Sequence, residues 1–182
     1  MNTLLEKLTA CGPAMEWANA QVDYSIAWEN CERGDWMLWA AKKANIDLRI
    51  LTKAKVECAK LVEHLMVDDR SISALRVAEE YAAGNATQEQ LDAAAAAAAA
   101  AAAYADYAYA AAAAAYAAGA AAYAADAAAA AADADAAYAA GSAAGAAAGA
   151  ARIKTLKQCA DICRKHINFD DVLHGLNKLA GK

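Results

Sequence analysis

At 182 residues the chain is long enough for one domain with a real core and too short for two ordinary ones. Its net charge of -5 and pI near 5.2 weigh against a nucleic-acid binder that works by broad phosphate neutralisation. The opening run MNTLLEKLTACG lacks the basic start and apolar core of a secretory signal, so a cytoplasmic protein is expected, with its five cysteines as free thiols.

Pro13 is the only proline, and almost no stretch alternates apolar and polar residues as a half-buried strand would. The expected fold is all-α: a compact multi-helix bundle with Ala-rich, closely packed helices. One domain over 1–182 is predicted, with a Trp-containing helical half at 1–86, an Ala-rich helical half at 87–166 and a C-terminal helix at 167–182.

Taken in order, Gly12 and Pro13 open a helix over PAMEWANA, with Pro at the first helical position. A weaker helix carries YSIAWENC. GDWMLWAAKKAN puts Trp36, Trp39 and Lys43 at helical spacing, with Gly34 or Asp35 near the cap. The triplet Arg33-Gly34-Asp35 is short and intracellular here and reads as chance. From about Thr52 a core helix is predicted, on Val56, Ala59, Val62 and Met66 with Leu51, Cys58, Leu61 and Leu65 widening its apolar side. DDRSISALRVAEEYAAGN then reads as a turn, a cap at Ser71, an apolar stripe through Leu75, Ala78 and Tyr81, and a stop at Gly84 and Asn85. Thr87 with Gln90 makes a capping box for the next helix.

That helix enters the alanine tract. As one straight rod, Thr87 to His166 would measure roughly 120 Å, so breaks are predicted at Asp106, around Gly119 and at Asp133 to Asp135. Three or four helices result, the last being ARIKTLKQCADICRKHI, and DDVLHGLNKLAGK closes the chain. Alanine combines the best helix propensity with a very small side chain, so facing alanine surfaces let backbones approach closely. Gly141, Gly145 and Gly149 extend that logic on one stripe. The longest uncharged run, Tyr107 to Ala125, has spanning length, but Ala, Tyr and Gly insert with near-neutral energies, so no membrane segment is expected.

Two groups of residues suit binding. The four tryptophans, Trp17, Trp28, Trp36 and Trp39, are either the bulky half of a core whose small half is alanine or a contact surface; big-against-small packing is the preferred reading for most of them, with at least one exposed. The tyrosines of the tract, Tyr104, Tyr107, Tyr109, Tyr116, Tyr123 and Tyr138, either fill gaps between Ala-lined helices or line a groove for a planar ligand. Basic residues on the flanks read mostly as solvated helix faces. Arg70, placed just before a helix N-terminus at Ser71, is the best single anion contact. The binding set is therefore Trp28, Asp35, Trp36, Trp39, Arg49 and Arg70 with those six tyrosines.

No catalytic constellation stands out: there is no Gly-rich phosphate loop, nucleophile elbow or paired metal-binding histidine motif. A non-enzyme is expected, without cofactor. Cys159, Cys163 and His166 share one helical face and could hold zinc with Cys58 or His64, but cysteines at helical spacing are more simply core residues, and no metal is assigned.

The block DWMLWAAK, the DDR before a helix and the Ala-dominated second half resemble the immunity-protein-five-like family of immunity proteins, found in bacteria and bacteriophages. The similarity spans about Trp28 to His166. The family's tract carries His and Arg among its alanines where this chain carries Tyr and Asp. The resemblance implies a non-catalytic protein that neutralises an antagonist by binding. Its partner would be a toxin or immune effector protein, or alternatively a nucleotide-type immune signal held as in a sponge. No extended nucleic acid and no membrane are expected, and a homo-oligomer is left open. A protein inhibitor predicts an exposed aromatic patch and no deep pocket, whereas a sponge predicts an enclosed cavity where Tyr and Arg converge, often at an oligomer interface.

Overall fold

A computed structural model describes residues 2–65, 69–105, 150–179 and 181. Every regular element among them is helical, which bears out the all-α expectation. In chain order these are α1 (Asn2–Lys7), α2 (Gly12–Asn19), α3 (Tyr24–Asn30), α4 (Gly34–Lys43), α5 (Leu48–Lys60), a 3-10 turn (Glu63–Leu65), α6 (Asp69–Ala83), α7 (Gln88–Ala105), α8 (Ala150–His166) and α9 (Phe169–Leu179). The predicted breaks at Asp106, Gly119 and Asp133 to Asp135, and the Gly141 to Gly149 stripe, lie outside the described residues.

Local chemistry sets most of the boundaries. Pro13 occupies the first turn of α2, where a missing N–H costs nothing. The Asp23 carboxylate accepts the Ile26 N–H at 2.8 Å and starts α3. At the end of α6, Gly84 takes φ +88° and the Asn85 N–H reaches the Glu80 carbonyl at 2.8 Å, the double-wrapped helix ending predicted at Gly84 and Asn85. The capping box at α7 is present in both directions: the Gln90 N–H donates to Thr87 Oγ1 at 3.3 Å, and the Thr87 N–H donates to Gln90 Oε1 at 2.8 Å.

Three local readings need correction. α5 starts at Leu48 rather than near Thr52, because the Asp47 side chain accepts the N–H groups of Arg49 (3.0 Å) and Ile50 (3.2 Å). Ser71 is not a cap. It lies inside α6, fully buried, and its hydroxyl has no hydrogen-bond partner among the described residues. Arg70 accordingly sits in the first turn of α6, exposed, and not ahead of a helix N-terminus. α1 is a further difference, a short helix that the sequence reading did not include.

The buried side chains form two main clusters that share α5. Leu51, Ala54 and Cys58 face the first, with Leu38 and Ala41 of α4, Cys159, Ala160 and Cys163 of α8, and Val172 and Leu176 of α9. Val56, Ala59 and Val62 face the second, with Leu75, Ala78 and Tyr81 of α6 and Leu91 and Ala95 of α7. Leu51, Ala54 and Cys58 lie on one face of α5 and Val56 and Ala59 on the adjacent one, with Val62 in the turn that follows, so one helix serves both clusters. α7 shows how alanine is used: Leu91 and Ala95 are buried, Ala94 packs against Ala74 of α6, and Ala93, Ala96 and Ala97 are exposed.

An ion-pair group ties α5 to α8. Glu57 receives Lys165 Nζ at 3.0 Å and lies 2.7 Å from His166 Nε2. Partial burial pushes the Glu57 carboxyl up, but the bonds from His166 and Lys165 outweigh it and leave the group below its usual 4.5. A carboxyl held low in the folded state stabilises above its unfolded pKa, and that contribution fades as pH falls through the lowered value. The stability gap between the native chain and Glu57→Gln should therefore be about 0.5–1 kcal/mol at neutral pH. It should shrink below about pH 4.5, as read by urea midpoints across a pH series.

Candidate functional site

Four helices carry the same local pattern, a bulky side chain with neighbours three and four residues away on one face. α2 offers Ala14, Trp17 and Ala18; α3 offers Tyr24, Ala27 and Trp28; α4 offers Trp36, Trp39 and Ala40; α9 offers Phe169, Val172, Leu173 and Leu176. The tertiary fold turns these four faces toward one another around a partly open cavity of about 100 Å³, with Leu5 of α1 at its edge. All four tryptophans of the chain line it. Five alanines, at 10, 14, 18, 27 and 40, line the same cavity, and side chains that end at Cβ leave room there.

The rings are interlocked. Trp17 and Trp36 have centroids 6.0 Å apart at 52°, and Trp28 and Phe169 are 6.0 Å apart at 38°, both tilted contacts that favour the ring quadrupoles. The Arg33 guanidinium lies 4.3 Å from the Trp36 ring centroid, and Lys43 Nζ lies 5.9 Å from that of Trp39. Arg33 is also a partner of Asp35. Its Nε donates to Asp35 Oδ1 at 2.8 Å, its Nη2 donates to Oδ2, and Asp35 is buried. The Arg33-Gly34-Asp35 triplet is thus a structural device: Arg33 and Asp35 hold each other, and Gly34 is buried against α8.

The α3 wall is held from α8. Arg164 Nη1 donates to the carbonyls of Trp28 (3.1 Å) and Cys31 (2.9 Å), and Nη2 donates to Asp161 at 2.7 Å. Those carbonyls are at the C-terminal end of α3, where helical acceptors lack intrahelical donors and a cation is favoured. Two titratable side chains line the pocket. Burial pushes the Cys31 thiol up to about 11, and burial also raises the Tyr24 hydroxyl above its ordinary value. Both stay neutral at physiological pH, so the wall carries no charge.

The sequence-predicted binding residues separate into groups. Trp28 is buried in the first cluster and Trp36 and Trp39 are half-buried against it, as is Trp17, so the core reading holds for the tryptophans and none is exposed; all line the pocket. Asp35 is adjacent in chain but committed to Arg33. Arg49 belongs with the other cluster, donating to the Tyr81 carbonyl with its guanidinium 4.6 Å from the Tyr81 ring. Arg70 is on the first turn of α6, and Tyr104 is on the last turn of α7. Tyr107, Tyr109, Tyr116, Tyr123 and Tyr138 lie outside the described residues. Trp17, Tyr24 and Phe169 complete the pocket without having been in that set; their signal was the shared three-and-four spacing, which a core helix would show equally.

The thiols lie deeper. Cys58, Cys159 and Cys163 are buried where α5 meets α8, and hydrogen bonding to the other two thiols, with burial, raises Cys58 well above its ordinary value. His166 turns to Glu57. Among the described residues no set of three or more His, Cys, Asp or Glu is grouped to hold a metal ion, and no helix is long and apolar enough to cross a membrane. Compared with family models, curated proteins and solved structures, the chain has no match.

Proposed function

We propose that this chain is a non-catalytic immunity or counter-defence protein that neutralises a toxin or immune effector by binding it, with the tryptophan pocket at the centre of the contact face. The binding part of the reading rests on one observation: four tryptophans from three short helices, Trp28 buried and the other three half-buried, surround a partly open pocket whose titratable wall groups are neutral, a recess in place of the exposed aromatic patch expected of an inhibitor. Indoles packed around an apolar recess are the usual substance of binding hot spots. Catalysis would need a base or nucleophile poised near the operating pH, and Cys31 and Tyr24 are shifted away from it. The immunity role itself rests on the resemblance of DWMLWAAK, DDR and the Ala-rich half to immunity-protein-five-like proteins, a family whose model the chain does not match, and the net charge of -5 would speed association with a basic partner. A nucleotide-type ligand held between Ala-lined helices is the alternative; the tryptophan pocket has no charge on its wall to meet phosphates, and the tyrosines that would stack such a ligand lie mostly outside the described residues.

The test is protection. The chain is co-expressed with a panel of bacterial toxins and phage-defence effectors, and the purified protein is weighed by native mass spectrometry. Protection against one panel member is expected, with a complex of the two proteins that the double variant Trp36→Ala/Trp39→Ala weakens by about 30-fold or more. Protection that survives the double variant would remove the pocket from the mechanism. A nucleotide-sized bound mass in place of a protein would replace this reading with the sequestering one.

A further inference from the structure

We infer that α1 is a hinged flap over the tryptophan pocket, closed in this structure, which shields the indoles and has to lift before a partner contacts them. The inference rests on the binding reading above and names how that site is regulated. α1 has six residues, too few for a helix to persist in water on its own, so it is held by what its side chains touch. Among its described side chains the apolar anchors are Leu5 and, just past its end, Leu8, three positions apart on one face. Leu5 lines the pocket, Leu8 is buried in the first cluster, and Glu6 and Lys7 between them are exposed.

The turn after α1 keeps that closure weak. It wraps the helix end as the end of α4 is wrapped. The Thr9 N–H donates to the Glu6 carbonyl and the Ala10 N–H to the Leu5 carbonyl, both at 3.1 Å; the Asn45 N–H donates to the Lys42 carbonyl at 3.0 Å and the Ile46 N–H to the Ala41 carbonyl at 3.1 Å. Such a wrap needs one left-handed residue, and Thr9 and Asn45 each take φ +57°. Asparagine tolerates that conformation, whereas a β-branched threonine is an outlier there because its side chain crowds the backbone. Thr9 is exposed, and its hydroxyl donates to the adjacent Leu8 carbonyl at 2.6 Å, a bond that stays within the turn. The strain is released when α1 lifts, so it opposes closure and leaves the rest of the bundle alone. Cys11, Gly12 and Pro13 follow, all exposed, and a Cβ at Gly12 would meet nothing within 4 Å, so the junction to α2 has room to swing. A flap also accounts for finding a recess where an inhibitor calls for an aromatic patch: lifting α1 takes Leu5 off the pocket and opens the indole face.

Two substitutions in the full chain move the flap in opposite directions. Thr9→Gly removes the crowding and should raise the closed-to-open ratio about tenfold. Leu5→Ala keeps the helix propensity, takes away the pocket contact and should lower that ratio about fivefold. Iodide quenching of tryptophan emission and hydrogen exchange of the Ala10 amide are measured on the folded proteins. Thr9→Gly should be quenched less and exchange about tenfold more slowly, after correction for the intrinsic rate beside a glycine; Leu5→Ala should be quenched more and exchange about fivefold faster. Because a partner meets the open form, Thr9→Gly should bind the toxin or effector about tenfold more weakly than the native chain does, and Leu5→Ala more tightly. Exchange at Ala10 as slow as at the amides of α4, native quenching in both variants, or equal partner affinity in both would overturn the inference. If quenching and exchange move as expected and no toxin or effector binds, the proposed function fails and the flap stands.

Discussion

Replacing Gly34 by alanine should cost the protein about 3 kcal/mol, the upper end of what overpacking a core position does. A Cβ at Gly34 would stand 2.3 Å from Cys159 Cβ, 2.6 Å from the Cys159 carbonyl carbon and 2.7 Å from the Ala160 nitrogen. Two of those three atoms are backbone, so no side-chain rotation relieves the contact, and α4 must move off α8. The helix propensity of alanine returns at most about 1 kcal/mol. In a chain of this size the melting temperature should fall by roughly 6–12 °C. The control is Gly12→Ala, where an added Cβ meets nothing within 4 Å and little change is expected. Equal melting temperatures for the two variants would mean that the α4 to α8 crossing is looser than the geometry requires.

Gly175→Ala should be nearly as costly, about 2–3 kcal/mol, and should also damage the pocket. Its Cβ would lie 2.1 Å from the Ala44 carbonyl oxygen and within 2.9 Å of two further backbone atoms of that residue. α9 would have to lift from the end of α4, and α9 supplies Phe169, Val172, Leu173 and Leu176 to the pocket. Trp28, which packs on Phe169, should lose its shelter. The expected readout is a red-shifted tryptophan emission with greater iodide quenching at temperatures where the variant is still folded. Gly34→Ala, acting between α4 and α8, should lower stability with a smaller change in emission. A destabilised Gly175→Ala protein with native emission and native iodide quenching would show that α9 is not a wall the pocket depends on.

Several features were legible residue by residue. The starts and stops written in short-range chemistry were found where expected: Pro13 at the head of α2, the Thr87 and Gln90 exchange at α7, and the Gly84 and Asn85 ending of α6. The apolar stripes of α5 and α6 point inward as their spacing predicts. Ser71 failed because serine near an acidic turn suits a cap and a buried helix position alike, and only the packing of α6 distinguishes them. Arg49 and Asp35 read as available charges, yet each is bonded to a neighbour, one of them 32 positions along the chain.

By itself the sequence determined the helical class and those local boundaries, because propensity, capping and periodicity act over three or four residues. The tertiary structure alone decided which alanines are buried and why Gly34 and Gly175 have no side chain. It also decided that faces on α2, α3, α4 and α9 meet around one cavity. Those outcomes depend on contacts between residues up to more than a hundred positions apart, as between Gly34 and Cys163 or Trp28 and Arg164. A small residue in such a chain looks the same whether it faces solvent, a neighbouring backbone or a pocket, and only the meeting of distant helices tells these apart.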